Sequence, residues 1–124
     1  DYAHHPKEID ALISSLRLMY NSEKITMIFQ PHLFSRTKDF LYEFAVSLSK
    51  VDTLILLDIY PARERPIKGF SIQKLFELIN IEDKLLISNK KLAPLIFKLK
   101  PKLLVSAGAG DITTFSKKLK DILL

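Results

Sequence analysis

His32 and Arg36 are the residues in this chain whose types and spacing most directly suggest chemistry. They follow an apolar run over residues 25–29, rich in β-branched and aromatic side chains, that is typical of a buried strand. An amphipathic segment comes next and predicts a helix. Ligands of parallel α/β sheets bind beyond the carboxyl ends of the strands, and an arginine fork at a helix start suits a carboxylate. The pair therefore predicts an anion site, although a histidine at a helix start can also serve only as a cap.

A second polar cluster stands at the start of the chain, where Asp1 and His4 precede a predicted helix. These side chains could hold a ribose hydroxyl, a phosphate or a metal-bound water, or they could form only a helix cap on a frayed terminus. Adjacent histidines, His4 and His5, cannot easily face one ion, and the chain has no cysteine. We therefore predict no zinc site and assign no metal ligand.

Two further clusters follow later strands of the predicted sheet. Asp58 ends the apolar run 53–58, where an unpaired carboxylate would be costly. It should therefore meet a backbone N–H, the cation of Arg63 or a ligand ammonium. Glycines after the last predicted strand, including Gly110 before Asp111, let the backbone approach a ligand closely. The third glycine of a dinucleotide fingerprint and the P-loop lysine motif are both missing, so a complete nucleotide site is not predicted.

The elements that must position these residues alternate along the chain. The pattern predicts helices over residues 6–20, 37–49 and 112–123 and two more from Ser71 and Asn89, with strands over 25–29, 53–58, 84–88 and 102–106. Short connections imply a mostly parallel sheet with helices on both faces, an α/β three-layer Rossmann-like sandwich. Such a fold ordinarily begins with a strand, and the chain begins at Asp1 without methionine. We expect the first strand to precede it in a longer polypeptide.

Composition limits the class of protein. A chain of 124 residues that is 48% hydrophobic fits one globular domain. No segment reads as a membrane span or a signal peptide, and the absence of cysteine suits a cytoplasmic protein. The net charge of +5 fits a lysine-rich surface or an anionic small substrate. The lysines lack the aromatic interleaving of single-strand binders, so no nucleic-acid or membrane partner is predicted, and a basic nucleic-acid-binding domain is kept as an alternative.

The chain closely resembles the C-terminal domain of the Mur ligases in four segments, DYAHHP, FQPHLFSRT, LLDIYPARERPIKG and SAGAGDI. The resemblance covers essentially the whole chain. It implies the third domain of an ATP-dependent amide ligase, whose N-terminal and central domains bind the UDP-sugar and, with Mg²⁺, the ATP. The second and third segments point to the member that adds L-alanine to UDP-N-acetylmuramate, through an acyl phosphate, in peptidoglycan synthesis. The alternatives are a family member with another amino acid and a stand-alone module that binds a carboxylate or phosphate.

The resemblance also implies roles for individual residues. Asp1 matches the aspartate that contacts the ribose and phosphates of ATP, and His4 would lie near the nucleotide. Tyr2 would lie near the incoming alanine. His32 and Arg36 match the pair that grips the carboxylate of alanine.

The remaining positions carry weaker implications. Leu33 stands where many members of the family have an arginine, which removes one possible contact to a carboxylate or phosphate. By position, the same edge should be lined by Asp58, Arg63, Gly110 and Asp111. Without the other domains, we expect these 124 residues to fold poorly or marginally and not to catalyse ligation.

Overall fold

The computed structural model describes residues 3–108, which contain one four-stranded sheet in the order β3-β2-β1-β4. All three strand pairs are parallel. The strands are β1 (Ile25–Gln30), β2 (Thr53–Leu57), β3 (Lys84–Ile87) and β4 (Leu103–Gly108). The helices are α1 (Pro6–Met19), α2 (Phe34–Asp39), α3 (Leu41–Leu48), α4 (Ile72–Leu78) and α5 (Leu92–Leu99). The predicted α/β class with a parallel sheet is confirmed.

The central strands are buried on both faces because helices cover each side. Along β1, Met27 and Phe29 pack into a cluster with α1, α3 and α4, whereas Ile28 packs into a second cluster with α5. β2 alternates in the same way, with Leu56 in the first cluster and Ile55 in the second. This explains why both strands read as continuous apolar runs, and it gives the predicted three layers.

The single helix predicted over residues 37–49 is wrong, since two helices occupy this region. Phe40 interrupts them with φ −110° and ψ 28°, outside helical values. Its ring packs edge-on against the His5 ring, with centroids 4.8 Å apart. The first helix also begins earlier than predicted, at Phe34, so that Arg36 lies within α2 rather than before it. The apolar spacing could not reveal this break because both halves contribute to the same core.

Smaller differences concern element ends. A 3₁₀ turn (Asn89–Lys91) precedes α5, so Asn89 does not cap an α-helix as predicted. β4 continues beyond the predicted Ser106 to Gly108, because it pairs with β1 as far as Gln30. The predicted helix over 112–123 lies outside the described residues. Of the helices in residues 3–108, none has the length and apolarity needed to cross a membrane.

Gly108 is the position where β4 lies closest to β1. A Cβ atom placed there would overlap the carbonyl oxygen of Gln30, and its φ of +120° disfavours any side chain. The end of β4 is therefore held against the end of β1 only because residue 108 is glycine.

We predict that Gly108→Ala lowers the free energy of unfolding by roughly 3 kcal/mol, because the added methyl group forces the two strands apart. Gly69→Ala is the matched control, since Gly69 also has positive φ (+80°) but no atom within 4 Å of the new Cβ. Gly69→Ala should lower the free energy of unfolding by about 1 kcal/mol. Chemical denaturation, monitored by circular dichroism, measures the free energy of unfolding of both variants. If the 124 residues show no cooperative transition, the longer polypeptide is used. If both variants lost the same free energy of unfolding, the close approach of Gly108 to Gln30 would be contradicted.

Candidate functional site

The loops after β1 and β2 stay paired beyond the ends of the strands. Tyr60 donates its N–H to the carbonyl of Pro31 (2.8 Å), and Leu33 donates its N–H to the carbonyl of Tyr60 (2.9 Å). Between these bonds, the His32 ring stacks on the Tyr60 ring with centroids 5.9 Å apart and planes 14° apart. The imidazole of His32 is thus fixed by main-chain pairing on both sides and by a stacked aromatic face.

His32 and Arg36 are brought together as predicted. Nη1 of Arg36 lies 3.2 Å from Nδ1 of His32. A guanidinium can only donate, so Nδ1 must be the acceptor and a neutral His32 carries its proton on Nε2. The pair therefore offers the remaining guanidinium N–H groups of Arg36 and the Nε2–H of His32, which are all donors suited to one anion.

The surroundings of His32 favour this neutral form. Burial lowers the pKa of His32 below its ordinary 6.5, and the positive charge of Arg36 and the nearby His4 lower it further, while Glu64 opposes them. Since folding favours the neutral ring, its contribution to stability is present above pH 6.5 and is lost as the pH falls through the lowered pKa.

His4 also lies at this edge of the sheet. Its ring centroid is 6.3 Å from that of His32 in an edge-on arrangement, and its Nδ1 is 3.7 Å from a carboxylate oxygen of Glu8. The neighbouring His5 provides the helix cap, since its Nδ1 accepts the N–H of Lys7 at 3.4 Å. His5 therefore caps α1, and the adjacent His4 lies near His32.

Asp58 finds one of the three partners predicted for it. Its carboxylate is exposed and accepts the N–H of Ile59 at 2.8 Å, so a backbone group is the partner. Arg63 makes no ion pair with it among the described residues. The Asp58 carbonyl accepts from Nε2 of Gln30 at 3.3 Å, and these two residues, with Tyr60 and Lys90, line an open cleft of about 440 Å³.

Arg63 occupies a tight turn rather than a pocket. The N–H of Glu64 bonds to the carbonyl of Pro61 at 2.9 Å, and both central residues have positive φ, 48° for Ala62 and 70° for Arg63. This is the pattern of a type I′ turn, which asparagine and glycine normally occupy. The side chain of Arg63 is exposed.

The sequence reasoning missed Glu64. Its carboxylate accepts the N–H of Ser35 at 2.9 Å and the hydroxyl of Ser35 at 2.5 Å, next to Arg36 in α2. Leu33 precedes α2 with φ 72° and offers no side-chain cap. A leucine directly before a helix signals that the cap must come from elsewhere in the chain, but it does not say from where.

Several sequence predictions lie outside the described residues, namely those for Asp1, Tyr2, Gly110 and Asp111. Within residues 3–108, no three His, Cys, Asp or Glu side chains lie close enough to hold a metal ion. The structure thus brings together His4 before α1, His32 after β1 and Arg36 in α2. Asp58 lies directly after β2 and lines the neighbouring cleft instead.

Comparison with known proteins identifies the family. Residues 1–110 match the family model described as "Mur ligase, glutamate ligase domain". The chain is 46% identical over 97% of its length to the UDP-N-acetylmuramate–L-alanine ligase of Cytophaga hutchinsonii, and it covers 26% of that protein. It is 49% identical over its whole length to the ligase of the same name from Christiangramia forsetii, and it covers 27% of that protein. The chain therefore spans about a quarter of the length of these relatives.

Solved structures share the fold. The UDP-N-acetylmuramate-alanine ligase of Thermotoga maritima aligns with a TM-score of 0.68 at 24% identity, over 98% of this chain and 25% of that chain. A domain from a putative UDP-N-acetylmuramate:L-alanyl-γ-D-glutamyl-diaminopimelate ligase of Haemophilus ducreyi aligns with a TM-score of 0.68 at 22% identity, over 100% of this chain and 88% of that chain. These likenesses show the fold, while the family match and the relatives of 46% and 49% identity confirm the resemblance to the Mur ligases. The chain belongs to the Mur ligase family.

Proposed function

We propose that this chain is the C-terminal, third domain of a cytoplasmic ATP-dependent ligase that joins L-alanine to UDP-N-acetylmuramate in peptidoglycan synthesis. The observation that carries the proposal is the Arg36–His32 pair, held at the carboxyl end of β1 with its free donors at the sheet edge. It is supported by relatives of 46% and 49% identity that bear the name of this ligase. The partners of the domain are the N-terminal and central domains of the same polypeptide.

The residues of this domain bind and orient the amino acid. The γ-phosphoryl group of ATP passes to the lactyl carboxylate of the sugar, which gives an acyl phosphate and releases ADP. The neutral amine of alanine then attacks the carbonyl carbon of this acyl phosphate, phosphate leaves, and the proton of the amine passes to solvent. Arg36 and the Nε2–H of His32 hold the carboxylate of alanine, which orients the amine at the other end of a small molecule. The other residues proposed to line the same substrate site are Tyr2, Asp58, Arg63, Gly110 and Asp111.

The nucleotide contacts proposed for this domain are those of Asp1 and His4. The 6.3 Å separation of the His4 and His32 ring centroids supports a role for His4 close to the proposed amino-acid site. We propose no magnesium ligand in this domain. Magnesium, when bound, would neutralise charge on the ATP phosphates, and it would be held by the central domain.

The full-length polypeptide should release phosphate from ATP only when both UDP-N-acetylmuramate and L-alanine are present, and these 124 residues alone should release none. A coupled phosphate assay measures both. Turnover that is independent of alanine but depends on another amino acid would assign a different ligase of the family. Turnover by the isolated 124 residues would contradict the need for the other domains, and the absence of any turnover in the full-length protein would favour a stand-alone binding module.

Arg36→Ala in the full-length protein should raise the KM for alanine by roughly 10- to 100-fold, because charge-assisted hydrogen bonds to the carboxylate are lost. The same variant should raise the pKa of His32 towards 6.5, since it removes the positive charge of Arg36, which lowers this pKa, while the effect of burial remains. Steady-state kinetics and NMR of ¹³C-labelled histidine measure the two effects. Lys38→Ala, an exposed cation in the same helix, is the control and should change neither. An unchanged alanine KM in Arg36→Ala would show that the carboxylate is held elsewhere.

Arg63→Gly should raise the free energy of unfolding by about 0.5–1 kcal/mol, because glycine adopts the positive φ of this turn without a Cβ clash. Thermal unfolding of the full-length protein measures this, and Arg65→Gly, in the same loop without positive φ, should be neutral or destabilising. The alanine KM of Arg63→Gly tests the proposed substrate contact separately. A loss of stability in Arg63→Gly would mean that the side chain contributes more than the backbone strain removes.

A further inference from the structure

The first turn of α2, which carries Arg36, has no cap of its own. The residue before the helix is Leu33, whose side chain cannot accept a hydrogen bond. The N–H groups of a first helical turn need acceptors, which usually come from Ser, Thr, Asp or Asn at this position. Leu33 is also held at φ 72°, a conformation that persists in a leucine only when its surroundings enforce it.

Glu64 supplies the missing acceptor from a different loop, 29 residues away in the chain. One carboxylate oxygen accepts the N–H of Ser35 at 2.9 Å, and the other accepts its hydroxyl at 2.5 Å. The hydrogen bond from the Ser35 hydroxyl is the largest cause that lowers the pKa of Glu64 below its ordinary value, and the hydrogen bond from the Ser35 N–H is the second. The carboxylate is therefore charged at neutral pH and makes two charge-assisted bonds to one residue.

The loop that presents Glu64 is itself strained. Ala62 and Arg63, which immediately precede Glu64, have φ of 48° and 70°. Left-handed conformations of non-glycine residues are costly, and they are maintained when the surrounding contacts over-determine them. The turn closed by Glu64 N–H and Pro61 carbonyl (2.9 Å) and the two bonds to Ser35 are such contacts.

We propose that Glu64 is a positioning residue, whose carboxylate ties the loop after β2 to the first turn of α2 and so holds Arg36 and His32 in their binding geometry. Arg36 directly follows Ser35, and His32 bonds to Arg36 at 3.2 Å, so a shift of this turn would move both donors. The tether itself is independent of the ligand. Its effect on alanine rests on the proposed function.

Glu64 is better suited to positioning than to binding a substrate. Both of its carboxylate oxygens are engaged by Ser35. Its negative charge would repel the carboxylate or phosphate that Arg36 and His32 attract. Charge and bonding therefore both favour a role for Glu64 in holding the α2 turn over a role in contacting the ligand.

Glu64→Ala in the full-length protein should raise the KM for alanine by about tenfold and leave the KM for ATP within about twofold, because the alanine-binding donors lose their support. Glu64→Gln should remain close to wild type, since its amide oxygen can accept the Ser35 N–H and its NH₂ can donate to the Ser35 hydroxyl. Glu77→Ala is the matched control, an exposed glutamate on α4. Equal KM values for alanine in Glu64→Ala and wild type would overturn the positioning role, and so would a proportional rise in both KM values.

Hydrogen–deuterium exchange on the same full-length variants tests the tether without any substrate. Glu64→Ala should increase exchange in the peptide covering residues 33–37, and leave α3 protected, whereas Glu64→Gln and Glu77→Ala should not. Ser35→Ala added to Glu64→Ala should cause no further change, because the two residues act through the same bonds. Unchanged exchange in Glu64→Ala would overturn the tether. If wild type shows no alanine-dependent turnover, the proposed function fails, while exchange still decides the role of Glu64.

Discussion

The hydrogen bond between Nη1 of Arg36 and Nδ1 of His32 is the interaction on which the rest of the site depends. It fixes the tautomer of the imidazole, leaves the Nε2–H as its remaining donor and restrains the guanidinium. Neither side chain would be held in this way by its own element alone. His32 follows a strand and Arg36 lies within a six-residue helix, and the bond joins these two short segments into one donor surface.

A parallel sheet makes such a surface possible because every strand delivers its following loop to the same edge. The loops that follow β1 and β2 are also held next to each other, since backbone hydrogen bonds continue beyond the strands to Tyr60 and Leu33. The backbone departs from ordinary conformations mainly at this edge, where Leu33, Ala62, Arg63 and Gly108 all have positive φ. Strain of this kind is typical of functional sites, because the geometry needed for binding differs from the geometry that the local sequence prefers.

The parts of the structure that could be predicted from sequence are those determined locally. The apolar runs around Ile28 and Ile55 predicted buried central strands, and the polar residues after β1 predicted the His32–Arg36 pair. The break at Phe40 could not be predicted, because Phe40 packs against His5, which precedes α1 and is distant in the chain.

Glu64 escaped prediction for the same reason. Its partner Ser35 is distant in the chain, and nothing in the sequence near Glu64 distinguishes it from a solvated surface carboxylate. Asp58 was only partly predictable, since three partners were possible from the sequence and the structure shows a backbone N–H, that of Ile59, as one of them. The roles proposed for Asp1 and Asp111 stay predictions, as both residues lie outside residues 3–108.

The tautomer of His32 tests the central claim most directly. In the full-length protein labelled with ¹⁵N-histidine, at a pH above 6.5, the Nδ1 resonance of His32 should have the chemical shift of an unprotonated nitrogen and the Nε2 resonance that of a protonated one. A proton on Nδ1 instead would contradict the account, because Arg36 could then not donate to this ring and the two side chains would not form one binding surface.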